Sequence, residues 1–307
     1  MSTESQQPAE SDPGVIAAFD IGSNSIKMTL ARRAGNGIDE FAWRSETVRL
    51  GEGVDATGSL APDRIEAGLT VLRAFTEFAR NQKASRLIGV ATEATRIAAN
   101  GQAFLDRVVA ETGIELAVIT GAREAELTFL GLDGVVDLSG DVLVADIGGG
   151  STEIILAVDR QVRFSHSFPI GSGRLTEQFE RTDPPTMAEL DACRAFANRE
   201  LGSAPFDQAP LPRLIITGGT GEYSFRMIRS GTRVDASVID RLLDEMTAVT
   251  AKSLAKRLAI PVARAAVLPA GVAVVRGLID LAQPREIQAA QSGIRRGLLL
   301  AAFAGTI

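Results

Sequence analysis

The chain has 307 residues, 45% of them hydrophobic and 23% charged, the balance of a packed globular protein long enough for about two domains. A formal net charge of −6 gives no general attraction for polyanions, and with Phe, Trp and Tyr together at 5% there is neither a basic tail nor an aromatic platform for nucleic acid. One cysteine, Cys193, excludes an internal disulfide, and one histidine, His166, excludes a multi-histidine metal site.

In chain order, residues 1–13 read as a polar, acidic tail without the apolar core of a secretory signal, so a cytoplasmic protein is expected. "VIAAFDIG" and "IKMTLARR" read as two strands joined by a tight turn in which Gly22 permits unusual backbone angles, and "NGIDEFAWRSETVRLG" reads as a third strand. From Asp63, the residues Ile65, Leu69, Leu72, Phe75 and Phe78 form one stripe of an amphipathic helix. "RLIGVATEATR" reads as a buried strand running into a loop, "GQAFLDRVVAETG" as a helix stopped by Gly113, and "ELAVITG" as a strand before a helix beginning in "AREAELTFLGL". The second half restarts the plan with "DVLVADIGGG", "STEIILAVD" and "QVRFSHSFPIG" as three strands, His166 being a strand residue. A helix over "MAELDACRAFANREL", with Cys193 as a small buried hydrophobe, and the strand "RLIITGGT" follow. Residues 236–283 read as helical, with Pro269 in the first turn of one helix, and a short strand "EIQAA" leads to a closing helix "IRRGLLLAAFAG". Apolar runs such as residues 265–275 fall short of the roughly 20 residues of a membrane span.

The expected fold is α/β, two domains with mixed sheets flanked by helices, over residues 14–132 and 133–291 with the closing segment 292–307 rejoining the first. Two such domains in contact leave a cleft, a common place for a ligand.

The chain writes one phrase twice. "DIGSNSIKMTLA" from Asp20 and "DIGGGSTEIILA" from Asp146 agree at six of twelve positions. Gly22, Ser23 and Asn24 in one copy, and Gly148, Gly149, Gly150 and Ser151 in the other, make turns whose bare backbone N–H groups suit phosphate oxygens. Gly, Asn and Ser are also what any tight turn needs, but two copies, each preceded by an aspartate at a strand end, favour the ligand reading. Seven residues after Asp146 stands Glu153, whereas seven after Asp20 stands Lys27. Only the second copy offers two hard oxygen ligands, so a magnesium ion is assigned to Asp146 and Glu153. No P-loop lysine motif is present, and the glycines at 171 and 218 are too few to signal a dinucleotide site.

Six blocks in order, "AAFDIGSNSIKMTLAR", "GVATEATRIAANGQAFLDRV", "AVITGAREAELTFLGL", "VLVADIGGGSTEIILAV", "SFPIGSGRLTEQF" and "LPAGVAVVRGLIDL", resemble the exopolyphosphatase/guanosine pentaphosphate phosphohydrolase (Ppx/GppA) family from about Val15 onward. The resemblance implies duplicated ribonuclease-H-like domains of the actin and sugar-kinase type, and hydrolysis of a phosphoanhydride by water with magnesium in the cleft. It implies Glu124, in "TGAREAEL", as the catalytic glutamate, a role that suits a partly desolvated carboxylate able to take a proton from water. It implies Arg96 beside the scissile phosphate, with Arg174 and Arg295 as further members of an anionic channel. The chain resembles the short, two-domain branch; it departs from the pattern at Ala266 and Arg296, where acids are common. Inorganic polyphosphate is the expected substrate. Guanosine pentaphosphate, held at "TGGTGEYSF" from Thr217, a sugar-kinase-like phosphotransfer and a non-catalytic sensor are the alternatives. A homodimer is compatible with the apolar closing helices.

Overall fold

The computed structural model describes residues 14–35, 37–206, 211–228, 231 and 233–307; the expected tail over residues 1–13 lies outside them. Two five-stranded mixed sheets organise the chain. The first is ordered β3-β2-β1-β4-β5, from β1 (Val15–Ile21), β2 (Ser25–Ala34), β3 (Gly37–Thr47), β4 (Ala84–Ala91) and β5 (Glu115–Val118). Its first three strands form an antiparallel meander, and β4 and β5 add in parallel after helical crossovers. Helices α1 (Val54–Thr57), α2 (Pro62–Asn81), α3 (Glu93–Ile97), α4 (Gly101–Thr112) and α5 (Gly121–Leu132) accompany it.

The second sheet repeats the pattern as β10-β9-β6-β7-β8, from β6 (Asp141–Ile147), β7 (Thr152–Val158), β8 (Gln161–Phe168), β9 (Arg213–Thr217) and β10 (Glu286–Ala289). With it run α6 (Ser172–Phe179), α7 (Met187–Leu201), α8 (Gly218–Ser224), α9 (Ala236–Thr247), α10 (Ala251–Leu258), α11 (Val262–Ala265), α12 (Leu268–Ala282) and α13 (Ile294–Phe303).

Strand alternation assigns each face its cover. On β1, Ala17, Phe19 and Ile21 point into a core shared with α2 and α4, while Ile16 and Ala18 meet Leu298, Leu299 and Phe303 of α13. On β6, Leu143, Ala145 and Ile147 face α7 and α12, while Val142 and Val144 face Ala125 and Leu132 of α5. Thus α5 covers the second sheet and α13 covers the first, and the two helices lie against each other where Gly131 meets Gly293 and Gly297 meets the Leu127 carbonyl, approaches that leave no room for a Cβ.

Local signals account for most element ends. Pro62 opens α2, Gly113 closes α4 in the left-handed region at φ 72°, and Thr186 with Glu189 forms a reciprocal capping box on α7. Two expectations change. The segment after β4 is a short helix, α3, instead of a loop, because five residues are too few to show a hydrophobic period. Residues 262–282, in which α11 and α12 run almost continuously, are long and apolar enough to pass for a membrane span, but 78% of that stretch is buried as the central helix of the second core.

Candidate functional site

The duplicated phrases form hairpins of the same register. Asp20 lies opposite Lys27 across β1 and β2, and Asp146 lies opposite Glu153 across β6 and β7. In each turn the first glycine N–H donates to the carbonyl three residues on, Gly22 to Ser25 at 3.1 Å and Gly148 to Ser151 at 3.0 Å. Neither glycine uses a positive φ, contrary to the expectation for Gly22; what crowds a side chain is the same carbonyl, 3.2 Å and 3.1 Å from where a Cβ would stand, which would have to move aside.

Five carbonyls at the tips of these turns are occupied. Ser23 O accepts from Gly51, Asn24 O from Val48 and Arg49, Gly148 O from Ser172, Gly149 O from Gly173 and Arg174, and Gly150 O from the Arg174 side chain. The N–H groups of Ser23, Asn24, Gly149 and Gly150 donate to no acceptor among the described residues, and the buried Asn24 Nδ2 has no partner. With carbonyls tied back and amides left over, the paired turns are net donors of hydrogen bonds, the electrostatic signature of an anion cradle. They also touch: a Cβ on Gly149 would lie 2.6 Å from Asn24 Cβ, and one on Gly150 would lie 2.5 Å from Ser23 Oγ.

Glu124 enters from α5, whose N-terminus is capped by Thr120 Oγ1 accepting from Arg123 N–H. The residue is 8% exposed, and Oε2 is buried without a hydrogen-bond partner, 3.6 Å from an Arg96 guanidinium nitrogen. Burial, and then the neighbouring Glu153, Asp20 and Asp146 carboxylates, hold the Glu124 carboxyl well above its usual range, with Arg96 opposing. Glu153 is 1% exposed and accepts from Ser167 Oγ at 2.7 Å; burial first, then Asp146, pushes it up to about 8. Asp146 accepts from Thr128 Oγ1 at 3.0 Å and is raised chiefly by burial. Glu126 points away and pairs with Arg123 on the exposed side of α5.

Cations line the same region. Lys27, lowered to about 8 by burial and then by Arg295 and Arg264, shares one hollow with Asp20, Asp146 and Arg295. Arg295 donates to Thr29 Oγ1 at 2.8 Å and stands 4.0 Å from Asp20. Arg96 does not stand free: it donates to Glu93 at 2.5 Å and to the Ile119 carbonyl at 2.8 Å. On the far side of the interlocked turns Arg174 clamps the halves together, donating to Asp55 at 2.6 and 2.8 Å and to Glu93 at 3.1 Å.

Sequence reasoning passed over Glu93 and Asp55, and it used Lys27 only to place a metal elsewhere. Had residues 93–97 been read as helix, the (i, i+3) spacing of Glu93 and Arg96 would have marked the pair. Lys27 was available from strand register, since its position mirrors that of Glu153. Arg264, buried and donating to Ser25 Oγ at 2.9 Å beneath Tyr223, gave no local signal. The glycines after Thr217 open α8 and pack tightly, Gly218 against Asp146 and Gly219 against the Arg264 guanidinium, while Thr217, Gly218 and Glu222 also border the hollow that holds Lys27 and Asp20. Of the two departures, Arg296 pairs with Glu40 at 2.7 Å and Ala266 borders a separate cavity. Cys193 is buried, its thiol raised to about 12 by burial, and His166 sits on β8 between Phe164 and Phe168.

The donor set fits a hard divalent ion of a particular kind. Among the described residues no three carboxylate, imidazole or thiol groups converge as a cage, but Asp146 and Glu153 are paired, mutually repelling oxygen donors near Glu124, whose Oε2 makes no hydrogen bond. Magnesium commonly takes one or two carboxylates and fills its remaining positions with water and phosphate.

The model of the Ppx/GppA phosphatase family matches residues 30–304. The chain is 38% identical over 199 residues to exopolyphosphatase 2 of Mycobacterium tuberculosis, a stretch covering 62% of this chain and 62% of that relative, hence less than two-thirds of the latter's length. It is 28% identical over 300 residues to exopolyphosphatase 1 of Mycobacterium bovis, covering 93% and 87% of the two chains. The crystal structure of the Aquifex aeolicus member of the family superposes with a TM-score of 0.76 at 29% identity, covering 95% of this chain and 98% of that one. A match that runs from β2 into α13 and spans both sheets leaves no large part of the fold unaccounted for, and the chain belongs to the Ppx/GppA phosphatase family.

Proposed function

We propose that the chain is an exopolyphosphatase, releasing terminal orthophosphate from inorganic polyphosphate. The observation that carries this reading is the buried Glu124 Oε2, which makes no hydrogen bond and whose affinity for a proton is raised by burial and then by the surrounding carboxylates. In the proposed reaction water attacks the terminal phosphorus, the bridging P–O bond breaks, the shortened chain leaves with the bridging oxygen, and Glu124 takes the proton of the attacking water. The N–H groups of Ser23, Asn24, Gly149 and Gly150, with Gly22, Gly148 and Ser151 shaping the two turns, would hold adjacent phosphate groups, and Lys27 and Arg295 would neutralise the following ones. Arg96, 3.6 Å from Glu124, would orient it and meet charge developing on the transferred group. Asp146 and Glu153 would hold magnesium, which when bound supplies charge neutralisation to the phosphate oxygens. Polyphosphate is favoured over guanosine pentaphosphate by the names of the curated relatives.

The test is Glu124→Gln, which keeps the shape and removes the base. Phosphate release from polyphosphate is expected to fall roughly 100- to 10,000-fold while polyphosphate binding, measured by calorimetry, is retained. Turnover near wild type would remove Glu124 from the mechanism.

A further inference from the structure

A cavity of about 350 Å³ lies in the second half, away from the paired turns, between the end of α6 and the helices α9 to α12. Its wall is apolar where Met246, Leu254, Ala265 and Pro269 meet, all of them buried core residues. Two carboxylates, Glu180 and Asp183, also line it, beside Arg181.

Glu180 is met by two neutral donors, Thr176 Oγ1 at 3.4 Å and the Ala270 N–H, and by no cation among the described residues. The one arginine beside it, Arg181, turns its guanidinium to the carbonyls of Glu177 and Gln178 on α6. The other carboxylates nearby, Glu189 and Asp183, add to the negative potential, Glu189 being spent on the α7 cap and Asp183 accepting from Ala251 N–H at 2.7 Å at the start of α10. Partial burial among these neighbours raises the Glu180 carboxyl to about 7. A desolvated carboxylate in a protein is ordinarily matched by a counter-charge, and this one faces space of the size that small molecules occupy.

We propose that this cavity binds a small organic ammonium ion, its nitrogen on Glu180 and its hydrocarbon body against Met246, Leu254 and Pro269. Neither the polyphosphate site nor the proposed magnesium ligands take part, so the inference stands or falls separately from the proposed activity.

The probes are hexan-1-amine, charged at neutral pH, and its neutral analogue hexan-1-ol, titrated calorimetrically into the full chain. A ligand of this size is expected to bind in roughly the millimolar range, the amine at least about tenfold more tightly than the alcohol. Glu180→Gln, which can still accept from Thr176 and Ala270, is expected to erase that preference and leave the alcohol's affinity unchanged. Ala266→Phe, which fills the cavity from its rim, is expected to abolish binding of both probes with the melting temperature kept. Equal affinity for amine and alcohol, an amine affinity indifferent to Glu180→Gln, or no heat up to about 50 mM amine would each overturn the proposal.

Discussion

Replacing Glu153 with Gln is expected to stabilise the metal-free protein in a pH-dependent way. The folded chain holds the Glu153 proton up to about pH 8, whereas the unfolded chain releases it near 4.5. Across that window the unfolded state has lost a proton that the folded state retains, so stability falls as pH rises and levels off above about 8. A change of that size corresponds to at most about 5 kcal/mol. Because Asp146 and Glu124 share the repulsion, so that relief at one site eases the others, about 3–5 kcal/mol is the expected gain at pH 9. Gln keeps an acceptor for Ser167 Oγ, so little is lost at low pH. For a chain of this length the unfolding entropy is about 0.6 kcal/mol per degree, and the gain converts to roughly 5–8 °C in melting temperature. Thermal melts of both proteins in chelator should therefore coincide near pH 4.5, separate steadily up to about pH 8 and keep that gap at pH 9. Parallel curves, with a constant offset at every pH, would show that Glu153 carries no strain from its neighbours and would remove the electrostatic account of this centre.

Gly149→Ala would push a methyl group into Asn24, and at least about a tenfold loss of phosphate release is expected. Gly37→Ala, whose nearest neighbour is 3.8 Å away, should match wild type, and equal activity in both variants would deny that the turns must close on each other. Chelation should abolish phosphate release and added magnesium restore it; Asp146→Asn should raise the magnesium concentration for half-maximal rate by about tenfold or more, and an unchanged requirement would move the ion elsewhere. Glu93→Gln weakens the hold on both Arg96 and Arg174, so kcat is expected to drop by about 10- to 100-fold at an unaltered magnesium requirement, whereas an intact kcat would make the Glu93 pairs merely structural.

Much of this was written in the chain because the fold is made twice. A repeated strand, turn and strand shows itself by comparison with its own copy, and the alternation of Ile16 to Ile21 and of Val142 to Ile147 declares two-sided burial directly. Glu124 was legible only through resemblance to a family, since an acid in the first turn of a helix is usually there for the helix. Glu93, Asp55 and Arg264 were illegible for a common reason. Each owes its place to a partner far along the chain, Asp55 to Arg174, Glu93 in part to Arg174, and Arg264 to Ser25, and local pattern carries no trace of such pairs. The turn glycines were found for an incomplete reason: at Gly22 and Gly148 the constraint is a crowding carbonyl instead of a rare dihedral angle.

The exchange of covers between the sheets has a consequence for how the molecule is made. Most of the shield over Ile16 and Ala18 is α13, built from residues 294–303, while α5, which adds only Leu127 to that face and precedes the second sheet in the chain, waits for most of its surface to be synthesised. During translation the early strands therefore emerge with one greasy side bare, and they stay so until nearly three hundred residues have left the ribosome. Assembly of the two halves is thus obliged to finish together, which makes late truncation far more damaging than its length suggests.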